Sequence, residues 1–425
     1  MHLPHIVRRT RWLPKGQRVA IALSVALLLT AWRPLSPLVD ASTGSTASGA
    51  HLRLGAGYLV LAPLCSTLDA LSLLSVSQHI ALVSWILAFL VLGVALARKV
   101  TWRTVLVRLV GGVAAVAAVY VVNALVPRPM AQLVLAHGSE MAVDFHSHTE
   151  ASHDGRWGFG ESDTRAWHRD AGFNVAYVTD HGSPGDRGVV FHNRALAGLD
   201  VVLLPGNEYR WDGAHVVSLA PNLATTPPVI WSAFTRISFG GPTPPRVENP
   251  LLVETLPVAL ERTRHSPLSV GALELSDASP KGLEQGRRDR ERILRVADSL
   301  NIAVVASSNN HGWGRTAASW SVLDIPGWRE LPPLALAGAI DHHLRTERRH
   351  AVRVVARRMI APHETLLANL ASVPAIVWSA SRTLSPLERI SWVLWLWLPA
   401  LASGLRTRRR RAALQAPIDR RHQPA

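Results

Sequence analysis

Long apolar stretches lie toward both ends of the chain, and short apolar runs separated by polar loops fill the middle. A helix that crosses a membrane needs about 20 apolar residues. Five stretches reach or approach that length: residues 19–32, 54–76, 79–97, 105–126 and 390–405. The second and third predict a helical hairpin that turns at Ser77 and Gln78, with Asp69 inside its first helix. This pattern predicts three or four membrane helices within residues 1–135, and a membrane or membrane-associated helix and a basic tail within residues 363–425.

Basic residues indicate which side of the membrane each end faces. Arginines cluster before the first stretch and after the last, and Arg98, Lys99 and Arg103 follow the third. Such residues stay on the cytoplasmic side. Both termini are therefore expected in the cytoplasm, which requires an even number of spans, so one of the five stretches does not cross.

The stretch at residues 390–405 decides where the central domain lies. If it crosses, the domain faces outward, and if it only lies on the membrane, the domain is cytoplasmic. We expect an integral protein of a bacterial cytoplasmic membrane with an extracytoplasmic domain. The sequence does not decide whether residues 366–378 form a helix of the central domain or a further membrane segment.

The short apolar runs in the middle of the chain predict strands. They lie at residues 141–145, 175–178, 201–204, 215–219, 268–275 and 302–306, and helix-like stretches at 161–170 and 286–300 separate some of them. Strands that alternate with helices are typical of a parallel α/β sheet. In such folds the functional residues gather at the carboxyl ends of the strands.

The net charge and the cysteine count limit the partners and the metal ligands that the chain can have. Its formal net charge is +15, from 45 Lys and Arg against 30 Asp and Glu. Such a charge suits an anionic membrane surface or nucleic acid. Much of it flanks the apolar stretches, which favours the membrane, and nucleic acid is not strongly indicated. The single cysteine, Cys65, excludes disulfides within the chain and cysteine-based zinc sites, so a metal would need His, Asp, Glu or Asn ligands.

Four polar clusters follow predicted strands in order along the chain. They are residues 144–149 with Asp154, residues 179–181, residues 206–208 with His215, and residues 308–311. His146 and His148 alternate along a strand, so their imidazoles point the same way. Imidazoles combined with carboxylates suit Zn, Mn or Fe. One such cluster is often a turn or a chance pair, but four in succession at strand ends predict a metal site.

In order and spacing these clusters resemble the PHP (polymerase and histidinol phosphatase) family of metal-dependent hydrolases. Asp-x-His-x-His with a later Asp-Gly begins at Asp144, Thr-Asp-His begins at Thr179, and Gly-x-Glu begins at Gly206. The last motif ends at His311. The resemblance implies an α/β fold, a distorted (β/α)7 barrel at residues 136–362. It also implies two or three divalent ions of Mn, Zn or Fe. The resemblance does not cover the apolar stretches, which lead us to expect this barrel fused to N-terminal transmembrane helices and a C-terminal transmembrane or membrane-associated helix.

The resemblance further implies three groups of ligands. They are His146, His148 and Glu208; Glu208 and His215; and Asp154, His181 and His311. Two departures from the family bear on them. Asn309 stands where the family has Asp, and it can bind through its oxygen but brings no negative charge. The family's His-Pro motif is missing, and His265 is a weak substitute. Since fewer anionic ligands weaken metal binding, a two-metal site or an inactive site is an alternative.

The leading expectation is a membrane-anchored phosphoesterase that acts on a small-molecule phosphate ester. Asp180 is predicted to orient His181 for catalysis, and Arg156 and Arg210 to neutralise phosphate oxygens. One alternative is a hydrolase of carbamates or other esters that uses the same metals. Another is a catalytically inert sensor or scaffold in the bilayer. No oligomeric state is predicted.

Overall fold

The computed structural model of the chain describes residues 15–96, 101–181, 198–211, 214–219, 251–255 and 270–415. These residues form a mixed α/β structure whose main sheet curls into a half-barrel of ten strands. The strands are β1 (Leu38–Asp40), β2 (Ala50–Leu54), β3 (Ala131–Leu135), β4 (Glu140–Ser147), β5 (Val175–Val178), β6 (Val202–Trp211), β7 (Ala214–Leu219), β8 (Leu251–Thr255), β9 (Val270–Ser276), β10 (Ala303–Ala306), β11 (Ser319–Asp324) and β12 (Arg353–Arg357). The helices are α1 (Lys15–Ala31), α2 (Ala56–Val60), α3 (Ala62–Ser72), α4 (Val76–Ala95), α5 (Trp102–Leu125), α6 (Glu161–Ala171), α7 (Pro280–Arg288), α8 (Arg290–Leu300), α9 (Pro333–Glu347), α10 (Leu366–Arg382) and α11 (Pro386–Gln415).

The main sheet mixes parallel and antiparallel pairs, in the order β1-β12-β11-β4-β5-β6-β7-β8-β9-β10. β4, β5 and β6 are parallel, as are β8, β9 and β10, and the other neighbours are antiparallel. The prediction of a parallel arrangement is therefore wrong for β7, and the antiparallel strands β1, β11 and β12 were not predicted. Two residues separate β6 from β7 in the sequence, too few for the crossover that parallel neighbours need.

Alternation along β4 separates the core from the polar side chains. Met141, Val143 and Phe145 belong to the main cluster of buried apolar residues, where Phe145 stacks on Tyr177 with ring centroids 5.6 Å apart. Because successive side chains of a strand point to opposite faces, the residues between them lie on the other face. The pattern that builds the core therefore also directs His146 away from it.

Among the residues that the structure describes, two helices are long and apolar enough to cross a membrane, namely α4 and α5. They cover most of the predicted stretches at 79–97 and 105–126, and the shorter apolar helix at residues 16–31 covers most of 19–32. The stretch at 390–405 lies inside the 30-residue helix α11. Residues 366–378 lie in α10, which packs on α4 and accepts a hydrogen bond of 2.7 Å at the Leu370 carbonyl from the Trp85 indole.

The prediction that residues 54–76 form a membrane helix is wrong. This stretch ends β2 and then folds into α2 and α3, which have 5 and 11 residues, too short to cross. Asp69 is buried and accepts hydrogen bonds from Tyr58 Oη at 3.0 Å, Arg128 Nη1 at 2.6 Å and Thr316 Oγ1 at 2.8 Å. A carboxylate with a cationic partner and two hydroxyl donors is stabilised inside a protein, whereas in lipid it would lack them.

Candidate metal centre

Strand ends that are distant in sequence bring imidazoles and one carboxylate together. His146 is the next-to-last residue of β4 and His148 directly follows the strand, and their Nε2 atoms are 3.0 Å apart. Glu208, on β6, places Oε2 3.1 Å from His146 Nε2 and 3.2 Å from His148 Nε2. His181 follows β5 and forms a β-bridge with Glu208. The sheet itself therefore sets the spacing between these side chains.

Glu208 lies at the centre of this arrangement. Its Oε2 is also 3.3 Å from His181 Nε2, and its Oε1 is 2.8 Å from His215 Nδ1 on the neighbouring strand β7. The two oxygens of one buried carboxylate thus face four imidazoles. Burial alone would raise the pKa of Glu208, but the charge and hydrogen bond of His146 and the hydrogen bonds of His148 and His215 outweigh it and hold the pKa below its ordinary value. Glu208 is therefore ionised at neutral pH.

A second group lies beside the first. Asp154 Oδ2 is 3.2 Å from His311 Nε2 and 3.9 Å from His181 Nε2. The His148 ring stacks between the other two imidazoles, with centroids 4.0 Å from His311 and 4.8 Å from His181. The exposed His153, to which no role was assigned from the sequence, also falls near Asp154 and His181. The structure thus brings the three predicted ligand groups into one connected cluster.

The donor set fits divalent cations. Three sets of ligand atoms each lie within 4.8 Å of one another: His146, His148 and Glu208; His148, His181 and His311; and His153, Asp154 and His181. Imidazole nitrogens with carboxylate oxygens are ligands for Zn, Mn or Fe. The buried His311 Nε2 faces Asp154 Oδ2 at 3.2 Å but forms no hydrogen bond with it or with another described residue, and buried polar atoms seldom lack one.

Protonation of the imidazoles also suits metal binding. Burial lowers the pKa of His148 to about 3 and lowers the pKa of His181, so both rings are neutral near pH 7. For His146, burial acts to lower the pKa, but the charges of Glu208 and Glu274 outweigh it and raise the pKa well above its ordinary value. Without a cation, the charge of the carboxylates is thus balanced by a proton on His146.

The sequence interpretation missed two buried carboxylates at the end of β9. Glu274 is 2% exposed, and its Oε1 lies 3.4 Å from His146 Nδ1, opposite the ring nitrogen that faces Glu208. Neither Glu274 oxygen has a hydrogen-bond partner in the part of the chain that the structure describes. Burial, followed by the charge of Glu274, raises the pKa of Asp277 to about 6. The available signal was one acidic residue inside the apolar run at 268–275.

Asn309 belongs to this side of the cluster. It has a φ of 43°, and its Nδ2 donates to Asp277 Oδ2 at 3.2 Å. Its Oδ1 has no hydrogen-bond partner among the residues described. Asn309 therefore brings no charge itself, but the carboxyl group of Asp277, which is not part of the sequence motif, lies next to it. The weak substitute His265 lies outside the described residues.

Besides His181, the structure describes side-chain contacts for two of the predicted catalytic residues, Asp180 and Arg156. Asp180 accepts hydrogen bonds at 2.7 Å from both the backbone nitrogen and the Oγ1 of Thr149, and its Oδ1 is 4.0 Å from His148 Nδ1. These contacts fix the turn after His148 rather than the His181 ring. The Arg156 guanidinium lies 5.5 Å from the Phe159 ring centroid. The side chain of Arg210 lies outside the described residues.

Asp144, which opens the first motif, ties three elements together. It accepts hydrogen bonds from the Ser308 backbone nitrogen at 2.9 Å and from the Ser308 hydroxyl, and lies 2.8 Å from His168 Nε2. His168 Nδ1 is 2.7 Å from the Thr164 carbonyl. Both ring nitrogens of His168 therefore face acceptors. Asp144 and His168 form a buried support that joins β4, α6 and the loop after β10.

Comparison with known proteins adds little to this geometry. No family model matches the chain, and no curated protein matches it. Eight solved chains match, among them the crystal structure of PsfC from Pseudomonas syringae PB-5123. That likeness covers 57% of this chain and 98% of the other, at 16% identity and a TM-score of 0.33. A likeness at that level supports no conclusion about fold or function.

Proposed function

We propose that this chain is a membrane-anchored, metal-dependent hydrolase of phosphate esters with a PHP-type barrel. The observation that carries the proposal is Glu208, whose two oxygens face four imidazoles contributed by β4, β5 and β7 or the residues just after them. A carboxylate that faces ligands on both sides suits a site for two adjacent cations. Divalent cations bound there would lower the pKa of water and stabilise negative charge on phosphate oxygens.

The residues around the ligands support a site prepared for metal. Ser152 Oγ accepts from the His181 backbone nitrogen at 3.0 Å and lies 2.9 Å from His148 Nδ1. When Nδ1 carries the proton of neutral His148, that proton goes to Ser152 and the Nε2 lone pair is left for a cation. Asp180 fixes the turn between these residues through Thr149. A catalytically inert scaffold would not need the Ser152 contact that orients the His148 ring.

The position of the two apolar helices supports an extracytoplasmic domain. α4 begins and α5 ends beside the half-barrel, where the Ser77 backbone nitrogen donates to Glu284 and the Gly314 backbone nitrogen donates to the Ala124 carbonyl, so Arg103 lies at the end of α5 away from it. In the sequence, Arg98 and Lys99 also fall between these two helices. Basic ends stay in the cytoplasm. The sole cysteine, Cys65, is buried. An impermeant maleimide should therefore label a Trp157→Cys variant in intact cells, and labelling only after lysis would reverse the orientation.

The hydrolase proposal is tested on the full chain, purified in detergent and loaded in turn with Mn, Zn or Fe. Bound metal and release of phosphate from p-nitrophenyl phosphate are measured for the wild type, Glu208→Gln and the exposed control Glu347→Gln. We expect turnover that depends on metal, survives in the control and disappears in Glu208→Gln.

Two other results would contradict the proposal in different ways. Stoichiometric metal without turnover would refute the phosphoesterase and shift attention to carbamates and other esters. Absence of bound metal in the folded protein would refute the enzyme altogether and favour the scaffold.

A further inference from the structure

The loop that carries His311 is attached to the end of an apolar helix. The Gly314 backbone nitrogen donates to the Ala124 carbonyl of α5 at 2.9 Å. Arg315 Nε donates to the Arg128 carbonyl at 3.3 Å, just beyond that helix. The described side chains of α5 are not buried, so the helix presents its apolar surface outward along its length. One short loop therefore connects the metal centre to a candidate membrane span.

The length of α5 sets the depth of the metal centre in the membrane. Its 24 residues extend for roughly 36 Å at about 1.5 Å per residue, somewhat more than a hydrocarbon core of about 30 Å. The end of α5 is thus expected in the layer of lipid head groups. Gly314 comes three positions after His311 in the sequence, so the chain between them reaches at most about 11 Å. The cluster of His311 and Asp154 accordingly lies near the depth of lipid phosphates.

Two tryptophans lie on the rim of the centre at this level. Trp313 is 48% exposed, and its indole donates to the Asp154 carbonyl at 3.3 Å. Trp157, three residues after Asp154, is 92% exposed. The two loops are held together by the Arg156 backbone nitrogen, which donates to the His311 carbonyl at 2.8 Å. Exposed tryptophans at the end of a span are typical of the boundary between membrane and water.

We propose that the substrate is a phosphate monoester on the head group of a bilayer lipid. This inference rests on the proposed phosphoesterase function and specifies its substrate. The acyl chains stay in the bilayer beside α5 while the phosphate reaches the ligands next to Trp313. Hydrolysis forms a bond between water oxygen and phosphorus and breaks the ester bond from phosphorus to the lipid oxygen. The lipid leaves as an alcohol that takes one proton of the water, and inorganic phosphate is released.

The test compares one phosphate in two settings. The full chain, loaded with Mn, is placed in phosphatidylcholine nanodiscs with or without a minority of phosphatidic acid. Phosphate release from phosphatidic acid is compared with release from glycerol phosphate supplied in water at the same total concentration. Trp157→Ala removes the rim side chain, and Trp102→Ala removes an exposed tryptophan at the far end of α5.

The proposal expects phosphatidic acid to be hydrolysed many-fold faster than glycerol phosphate. It also expects Trp157→Ala to lower the ratio of the two rates several-fold, while Trp102→Ala leaves the ratio unchanged. Hydrolysis of glycerol phosphate at an equal or higher rate would overturn the lipid substrate and leave the phosphoesterase intact. If the metal-loaded protein releases no phosphate from phosphatidic acid, glycerol phosphate or p-nitrophenyl phosphate, both the proposed phosphoesterase function and the lipid substrate are overturned.

Discussion

Glu274→Gln is the substitution that best separates metal binding from folding. Glu274 is buried on β9, and its Oε1 lies 3.4 Å from His146 Nδ1. We expect the carboxylate to keep the proton of neutral His146 on Nδ1, so that Nε2, 3.1 Å from Glu208, is free to bind a cation. Glutamine has nearly the same shape but no charge, so it removes this preference while the packing remains.

The expected loss of metal affinity follows from the role and the burial of Glu274. Substitution of a carboxylate that orients a metal-bound histidine weakens metal affinity by about 10- to 100-fold, or roughly 1–3 kcal/mol. We expect the upper half of that range, because Glu274 is buried and salt does not screen it. Stability of the metal-free protein should change little. The substitution removes the attraction between Glu274 and protonated His146, 3.4 Å away, but it also removes the cost of burying the Glu274 charge, and His146 keeps Glu208 as a partner at 3.1 Å.

The assay is a Zn or Mn titration against a chromophoric chelator, combined with thermal unfolding in EDTA. Glu347→Gln serves as the matched control at an exposed position. Weaker affinity with an unchanged number of ions and undiminished stability would support the orienting role. Unchanged affinity would refute it, and so would the loss of one bound ion, because Glu274 would then be a ligand itself.

Three further predictions concern folding. Asp69→Asn leaves Arg128 buried without its anion and should lower the free energy of unfolding by roughly 3–5 kcal/mol, measured by thermal unfolding in detergent. If the additional substitution Arg128→Met restores none of the lost stability, the ion pair between Asp69 and Arg128 is not the cause. Gly312→Ala should destabilise the protein by more than about 1 kcal/mol and weaken Mn binding, because φ at Gly312 is 82° and a Cβ there would lie 2.5 Å from Phe159 Cγ. A variant with the melting temperature and the Mn affinity of the wild type would contradict this prediction. The pKa of His148 is about 3 in the folded state against about 6.5 when unfolded, so the unfolded chain binds more protons between these values. The metal-free protein should therefore lose up to roughly 1 kcal/mol per pH unit as the pH falls through that window, and His148→Asn should flatten the slope in denaturant titrations; equal slopes would exclude His148 as the source.

Local patterns along the chain were enough to predict much of the site. Alternation of apolar and polar residues placed His146 and His148 on one face of a strand end, and that strand is β4. The runs before Thr179 and Ser307 predicted β5 and β10, after which His181 and His311 follow. These features depend on neighbouring residues only, so periodicity alone reveals them. The long uncharged runs of α4 and α5 were visible for the same reason.

Features that depend on contacts between distant residues were missed or misread. Asp69 looked like a charge inside a membrane helix because its partners Arg128 and Thr316 lie 59 and 247 residues away. Glu274 looked like one acid in a buried strand because only the curled sheet carries it to His146. The antiparallel strands β11 and β12 were not predicted, since their pairing with β4 and β1 spans most of the chain.

The sequence by itself thus determined which residue types stand at each strand end and which helices are apolar throughout. Tertiary structure alone decided that Glu208 faces four imidazoles, that Glu274 lies behind His146, and that the His311 loop is joined to the end of α5. The physical reason is that side-chain chemistry and periodicity are local, whereas strand order and the burial of charge are set by the whole chain when it closes its core.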